Sequence, residues 1–490
     1  MANLKSLAKD TAIYGMSSII GRFLNYLLVP LYTAKLTVES GGYGIITNIY
    51  SYVALLLVIL TYGMETAFFR FANKQGENPE RVYSSILMSV GSTSLLFIIL
   101  ILTFLSPVAD FIGYAEHPEY VGVMAVCVAI DAFQTIPFAY LRYKKRPIKF
   151  AALKLLFIIM NIALNLVYFV LLPKLYETHP DIIGRIYDPS TGVGYAFFIN
   201  LFCTASITLF FRKELTGFKY VFDWGLMKRI LSYSWPILIL GITGILNQTA
   251  DKILFPFVYN GDNAQSQLGI YGAASKIAMI MAVITQAFRY AYEPFVFGKS
   301  RDKDNKETQA QAMKFFIIFT LLAFLTVVAY IDIIKYIIAP GYWPGLNVVP
   351  IVMAAEIMMG IYFNLSFWYK LTDRTIWGAI FSGIGCAVLI AINVIFVPRY
   401  GYMACAWAGF AGYGTAMLLS YLVGRKYYPV AYPLKRIFLY LLLACAIFAI
   451  YRYMPPINIY ASVVLRTVLL IVFLAAVVKF EHFRIPKLRH

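Results

Sequence analysis

The sequence predicts an all-α polytopic membrane protein with about fourteen transmembrane helices. Three observations carry that prediction. The 490 residues are 61% hydrophobic and only 13% charged, with mean hydropathy +0.72, whereas a soluble domain is about half apolar and about a quarter charged. Apolar runs of about 20 residues, enough to cross the hydrocarbon core, follow one another from end to end. Lys and Arg gather in alternate short loops between those runs, as the positive-inside rule requires.

The net charge of +18 would suit a nucleic-acid partner only if a recognition motif accompanied it. No RNP, zinc-finger or helix-turn-helix pattern does, so nucleic acid is not expected. Cys127, Cys203, Cys386, Cys405 and Cys445 all lie in apolar stretches without a CxxC pair and read as small packing residues. His117, His179, His482 and His490 fall between or beyond the spans. No metal site, disulfide or cofactor is expected. The opening MANLKSLAKD is polar, and the apolar run after it is too long for the core of a cleavable signal peptide.

Taken in order, the expected spans cover 11–36, 43–70, 83–106, 119–141, 149–173, 191–211, 230–256, 268–298, 313–337, 348–371, 376–397, 403–424, 437–453 and 460–479. With the N-terminus in the cytoplasm, the cytoplasmic segments hold 30 Lys and Arg and the external segments six: Lys35, Lys174, Arg185, Lys335, Arg399 and Arg452. That asymmetry predicts both termini in the cytoplasm. The loops leave no room for an external catalytic domain, which argues against a membrane glycosyltransferase or polymerase.

An internal repeat relates the first two spans to the seventh and eighth. Gly15 and Pro30 are 15 residues apart, as are Gly241 and Pro256. Gly42-Tyr43-Gly44 answers to Gly269-Ile270-Tyr271-Gly272, and an acidic residue follows the tyrosine by 22 positions in each copy, at Glu65 and Glu293. Six helices separate the copies, so both enter the membrane in the same direction and form parallel repeats, an arrangement that suits a transporter with a central site.

The stretches AKDTAIYGMSSIIGRFLNYLLVPLYT, GYGIITNIYSY, LRYKKRPIKF and ADKILFPFVYNGDNAQSQLGIYGAASKIA, in this order along the chain, resemble the polysaccharide flippases of the multidrug/oligosaccharidyl-lipid/polysaccharide exporter superfamily. The resemblance implies two six-helix lobes, here 1–212 and 213–424, with two further helices and a cytoplasmic tail in 425–490. It implies a bacterial inner-membrane transporter, not an enzyme. Its substrate would be an undecaprenyl-diphosphate-linked oligosaccharide for surface polysaccharide such as O-antigen of lipopolysaccharide. Membrane lipids, a polysaccharide polymerase and other assembly proteins would be its partners.

Ionisable residues inside the spans are the candidates for function, since a charge at the bilayer centre costs roughly 2.5–3.5 kcal/mol on insertion scales and is kept where it faces protein or water. Arg22, mid-span in the first helix, is the first choice for gripping a diphosphate through paired donors, and the resemblance places an arginine there too. Lys252, Lys276 and Arg289 are further candidate cations. Lys276 and Arg289 are thirteen apart, about 140 degrees around a helix. Asp131, with Gln134 one turn on, Asp251, Glu65 and Glu293 are candidates for proton or sodium coupling or for gating. Structural ion pairs are the alternative at each: Arg289 with Glu293 four residues on, and Glu65 and Glu293 with loop cations. Asp251 and Lys252 point about 100 degrees apart and are expected not to cancel simply. Lys154 is expected to snorkel, and Glu356 and Arg466 to pair locally. A cation-coupled drug extruder of the same superfamily is the second reading. Six basic groups within the spans against about as many acidic ones do not decide between the two.

Overall fold

The computed structural model describes residues 26–298, 305–454 and 458–481, and every element in them is a helix or a turn. Apolar side chains run around most of these helices, as in helices surrounded by lipid or by other helices. Packing divides the chain into two compact units. One runs to Gly272 and includes Asn393–Tyr402, and the other holds Ala273–Ile392 and the chain from Met403 onward.

In the first unit, α1 (Leu28–Lys35) is followed by α2 (Gly42–Thr61) and α3 (Met64–Ala72). Tyr62 and Gly63 separate α2 from α3 in the left-handed region, at φ 31° and 74°, which a non-glycine residue such as Tyr62 seldom enters. The helix α4 (Pro79–Thr103) opens with Asn78, whose side chain accepts from the Glu80 and Arg81 N–H groups, and with Pro at its first position. Both features satisfy or remove orphan donors. The central helix is α5 (Pro118–Tyr143), which touches α2, α3, α4, α6 (Pro147–Leu166) and α7 (Gly194–Leu209). After α6 the chain passes through a π turn at Val167–Leu171. The short α8 (Arg212–Thr216) leads to α9 (Trp224–Val258), capped by the Asp223 carboxylate on the Leu226 N–H, and then to α10 (Ala264–Ala278). Met64, Phe68, Tyr83, Ile86, Ile136 and Ile230 form the buried cluster that locks α3, α4, α5 and α9 together.

The second unit takes the last residues of α10, then α11 (Ile280–Gly298), α12 (Asn305–Ala329), α13 (Val349–Leu365) and α14 (Phe367–Leu371). It continues through α15 (Ile376–Tyr400) as far as Ile392, and then through α16 (Tyr402–Tyr427) from Met403, α17 (Leu434–Tyr453) and α18 (Ile459–Phe480). Its hub is α12, packed against α11, α13, α17 and α18. Tyr362, Trp368, Tyr369, Phe381 and Ala416 make its aromatic core.

Ten described helices are long and apolar enough to span a membrane, or eleven if the pair Ala264–Ala278 and Ile280–Arg289, bent by 41°, is one span. The protein is therefore a multi-pass membrane protein. The expected sixth span is the shorter apolar helix Gly194–Leu209, and the expected twelfth coincides with the 26-residue α16. Most of the expected first span lies outside the described residues.

Candidate functional site

Asp131 sits on the central helix of the first unit, half-buried among neutral polar groups. Thr204 of α7 donates to its Oδ1 at 3.2 Å. Cys127, one turn earlier, donates through Sγ to Asn200 Oδ1 at 3.2 Å and lies 4.0 Å from Asp131 Oδ2. Asn200 in turn donates to the Tyr50 hydroxyl at 2.6 Å, and Gln134 donates to the Thr204 carbonyl and the Thr208 hydroxyl at 2.7 and 2.8 Å. No cationic nitrogen among the described residues lies within 4 Å of the carboxylate; Lys154 attracts it from farther away. Lys154 itself rests its Nζ 4.0 Å over the Phe138 ring. The expectation that Cys127 merely fills space is thus incomplete, since its thiol belongs to this polar network.

A second arrangement forms where α2 crosses the start of α10. Gly44 packs against Gln265 and Gly269, and Gly272 against Thr47, so closely that a side-chain carbon on either glycine would collide. The two copies of the repeated glycine motif therefore lie on each other. Beside the crossing, the buried Asp251 accepts from the Tyr271 hydroxyl at 2.6 Å and from the Lys252 ammonium at 2.9 and 3.0 Å. This corrects the expectation for the adjacent pair. Cα–Cβ directions do diverge by about 100 degrees, but the four-carbon lysine stem folds back, and its Nζ reaches both the carboxylate and the Gln248 carbonyl at 2.9 Å. Lys252 is a neutralised cation in this state. Asn48, fully buried, donates to the Lys252 carbonyl at 2.7 Å and accepts from the Tyr114 hydroxyl at 2.8 Å.

In the second unit Arg289 is half-buried, its guanidinium 4.2 Å over the Phe363 ring. No carboxylate is paired with it among the described residues. Stacking on one face leaves the planar edge of donors available for an anion. One turn earlier, the buried Thr285 hydroxyl has no hydrogen-bond partner in the described structure. Lys276 is half-buried in the last turn of α10 and engaged with its surroundings. Glu293 lies in α11, but its side chain is outside the described residues, and Arg22 is outside them altogether.

Glu65, in the first turn of α3, pairs with Arg142 in the last turn of α5. Arg466 of α18 pairs at 2.8 Å with Asp332, 134 residues earlier in the chain. Sequence reasoning missed the partners Tyr50, Asn200, Thr204 and Tyr271. A signal for two of them was present: Asn200, Thr204 and Thr208 recur every four residues in an otherwise apolar helix, as do Cys127, Asp131 and Thr135. Two such stripes are the mark of polar faces that meet.

Residues 7–291 match the model of the family described as polysaccharide biosynthesis protein. The chain belongs to that family. Among curated relatives, an uncharacterized membrane protein of Haemophilus influenzae is 21% identical over 303 residues, which is 60% of this chain and 66% of the relative. The Lsg locus putative protein 1 of the same organism is also 21% identical, over 60% of this chain and 67% of its own length. Among solved structures, the lipid II flippase MurJ in an inward closed conformation superposes with TM-score 0.71 at 16% identity, covering 96% of this chain and 99% of that one. An inward-facing multidrug resistance transporter of the MATE family, described as part of the MOP superfamily, gives 0.65 at 15% identity over 83% and 94%. The MATE multidrug transporter DinF-BH gives 0.58 at 16% over 87% and 96%. This member of the polysaccharide biosynthesis protein family therefore has the fold seen in that flippase and in those multidrug transporters.

Proposed function

We propose that the chain is a flippase that moves an undecaprenyl-diphosphate-linked oligosaccharide across the bacterial cytoplasmic membrane by alternating access, for assembly of surface polysaccharide. The observation that carries this reading is Arg289, a cation within the apolar helices, stacked on Phe363 and not neutralised by a carboxylate among the described residues. A guanidinium so held offers paired donors to a diphosphate, while the lipid tail stays in the bilayer. Arg22 and Lys276 are proposed as further cations for an anionic head group, and Lys252 only if Asp251 is neutralised. Asp131, ringed by neutral donors and acceptors, is proposed as the group through which a proton or sodium gradient resets the empty carrier.

Depleting the protein should trap lipid-linked oligosaccharide on the cytoplasmic leaflet. Wild type should relieve the block and Arg289→Ala should not. Relief by the variant would discard Arg289 while keeping the flippase.

A cation-coupled extruder is the second reading, favoured by the Asp131 carboxylate, which has no cation within 4 Å among the described residues. No trapped intermediate, together with altered sensitivity to cationic drugs, would select it.

A further inference from the structure

Two basic turns of the first unit, residues 144–149 between α5 and α6 and residues 212–219 after α7, are built as one block. Glu214 joins them. Its carboxylate is only 3% exposed, accepts from Lys149 Nζ at 2.6 Å and lies 3.7 Å from the Arg146 guanidinium. Its backbone carbonyl accepts from the Tyr83 hydroxyl at 2.9 Å. Beneath, Phe138 packs edge-on against Phe150 and Phe211, at 5.3 and 4.9 Å between ring centres.

The two turns carry seven cations, and Glu214 is their only carboxylate. Lys144, Lys145, Arg212 and Lys213 are exposed and make no ion pair among the described residues. Apolar side chains open to the surroundings stand next to them in the chain: Ile148 and Leu209 are each 77% exposed, and Phe210 52%. Trp224, at the start of α9, is also exposed and of the type that collects at the membrane interface. Cations beside apolar surface match the two parts of one lipid molecule. A soluble anion would meet only the first.

We infer that this block is a binding site for an anionic phospholipid, with the phosphodiester held by Lys144, Lys145, Arg212 and Lys213 and the acyl chains laid along Ile148, Leu209 and Phe210. Basic loops that only set topology need charge near the membrane. They do not need a buried carboxylate tying two turns together, which carries a desolvation cost that only good geometry offsets.

The test uses the full chain, purified in mild detergent and stripped of lipid. Native mass spectrometry then follows titration with phosphatidylglycerol or phosphatidylethanolamine. Replacing Lys144, Lys145, Arg212 and Lys213 together by Gln should weaken phosphatidylglycerol binding at least about tenfold, since cations near the surface attract an anionic headgroup. A control with Lys174→Gln and Arg185→Gln, both exposed and remote in sequence, should bind as wild type does. All four positions of the block are exposed, so thermal unfolding should confirm that the variant is folded. Unchanged phosphatidylglycerol binding by the folded variant would overturn the proposal. So would equal binding of phosphatidylethanolamine by wild type, or retention of undecaprenyl phosphate in preference to phosphatidylglycerol.

Discussion

Gly44 of α2 lies against Gln265 of α10 with no space for a methyl group, because a Cβ there would overlap the Gln265 carbonyl. In a bilayer, close backbone approach of this kind is a main source of helix association. Gly44→Ala must therefore move the crossing apart. The expected loss is about 1–3 kcal/mol, as for other overpacked sites, read as a lower midpoint of thermal unfolding. Gly244→Ala is the matched comparison: nothing lies within 4 Å of its added carbon, so stability should hold or rise slightly with helix propensity.

Asp251 and Lys252 are expected to behave as one unit. Asp251→Asn alone leaves a partly buried ammonium without its counter-charge, at about 3–5 kcal/mol by analogy with other broken buried pairs. Adding Lys252→Met should restore much of that stability. A double-mutant cycle on thermal unfolding measures the coupling, and additive effects would show that the pair does not interact.

Asp131→Asn should leave the protein folded, since Thr204 and Cys127 can hydrogen-bond an amide as well as a carboxylate. Transport should lose its dependence on the imposed proton or sodium gradient. A variant whose flipping still follows the gradient as wild type does would remove Asp131 from the coupling role.

Glu481, just past the end of α18, is held by Lys314 of the hub helix α12, by the Tyr440 hydroxyl at 2.9 Å and by Arg436 at 3.6 Å. Burial pushes its carboxyl up, but the hydrogen bonds from Lys314 and Tyr440 and the charges of Lys314 and Arg436 outweigh it and hold the group below the ordinary 4.5. A depressed folded value contributes stability above the unfolded value and loses it as pH falls through the folded one. Glu481→Gln should therefore melt below wild type at pH 7, and the gap should close as pH is taken below 4.5. A gap of constant size across that range would mean that the charge contributes nothing.

Much of the architecture was legible because apolar length and loop charge are properties of contiguous sequence. The pairing of Glu65 was only one of two open readings: the basic stretch after α5 was visible, but not that Arg142, in the last turn of that helix, would reach it. The break at Tyr62 and Gly63 was not legible. Tyr62 has no preference for the left-handed region, and the need for glycine at 63 comes from α9, where Ile237 and the Ser234 carbonyl leave little room for a side chain. The polar stripe on α7 was readable, but its meeting with α5 depends on helix rotation, which periodicity alone leaves open. The Asp251–Lys252 contact was misjudged because helical angles describe where side chains leave the backbone, not where a long one ends.

That contact also bears on how the protein is made. A span with an isolated acid or base enters the bilayer against a penalty of roughly 2.5–3.5 kcal/mol for each central charge. Here the two charges are neighbours in sequence, so they can neutralise each other as soon as α9 coils, before any partner helix has been synthesised. The nascent segment would then meet the insertion machinery as a dipole with no net charge at that depth. This acid and this base are carried into the membrane together, within a single helix.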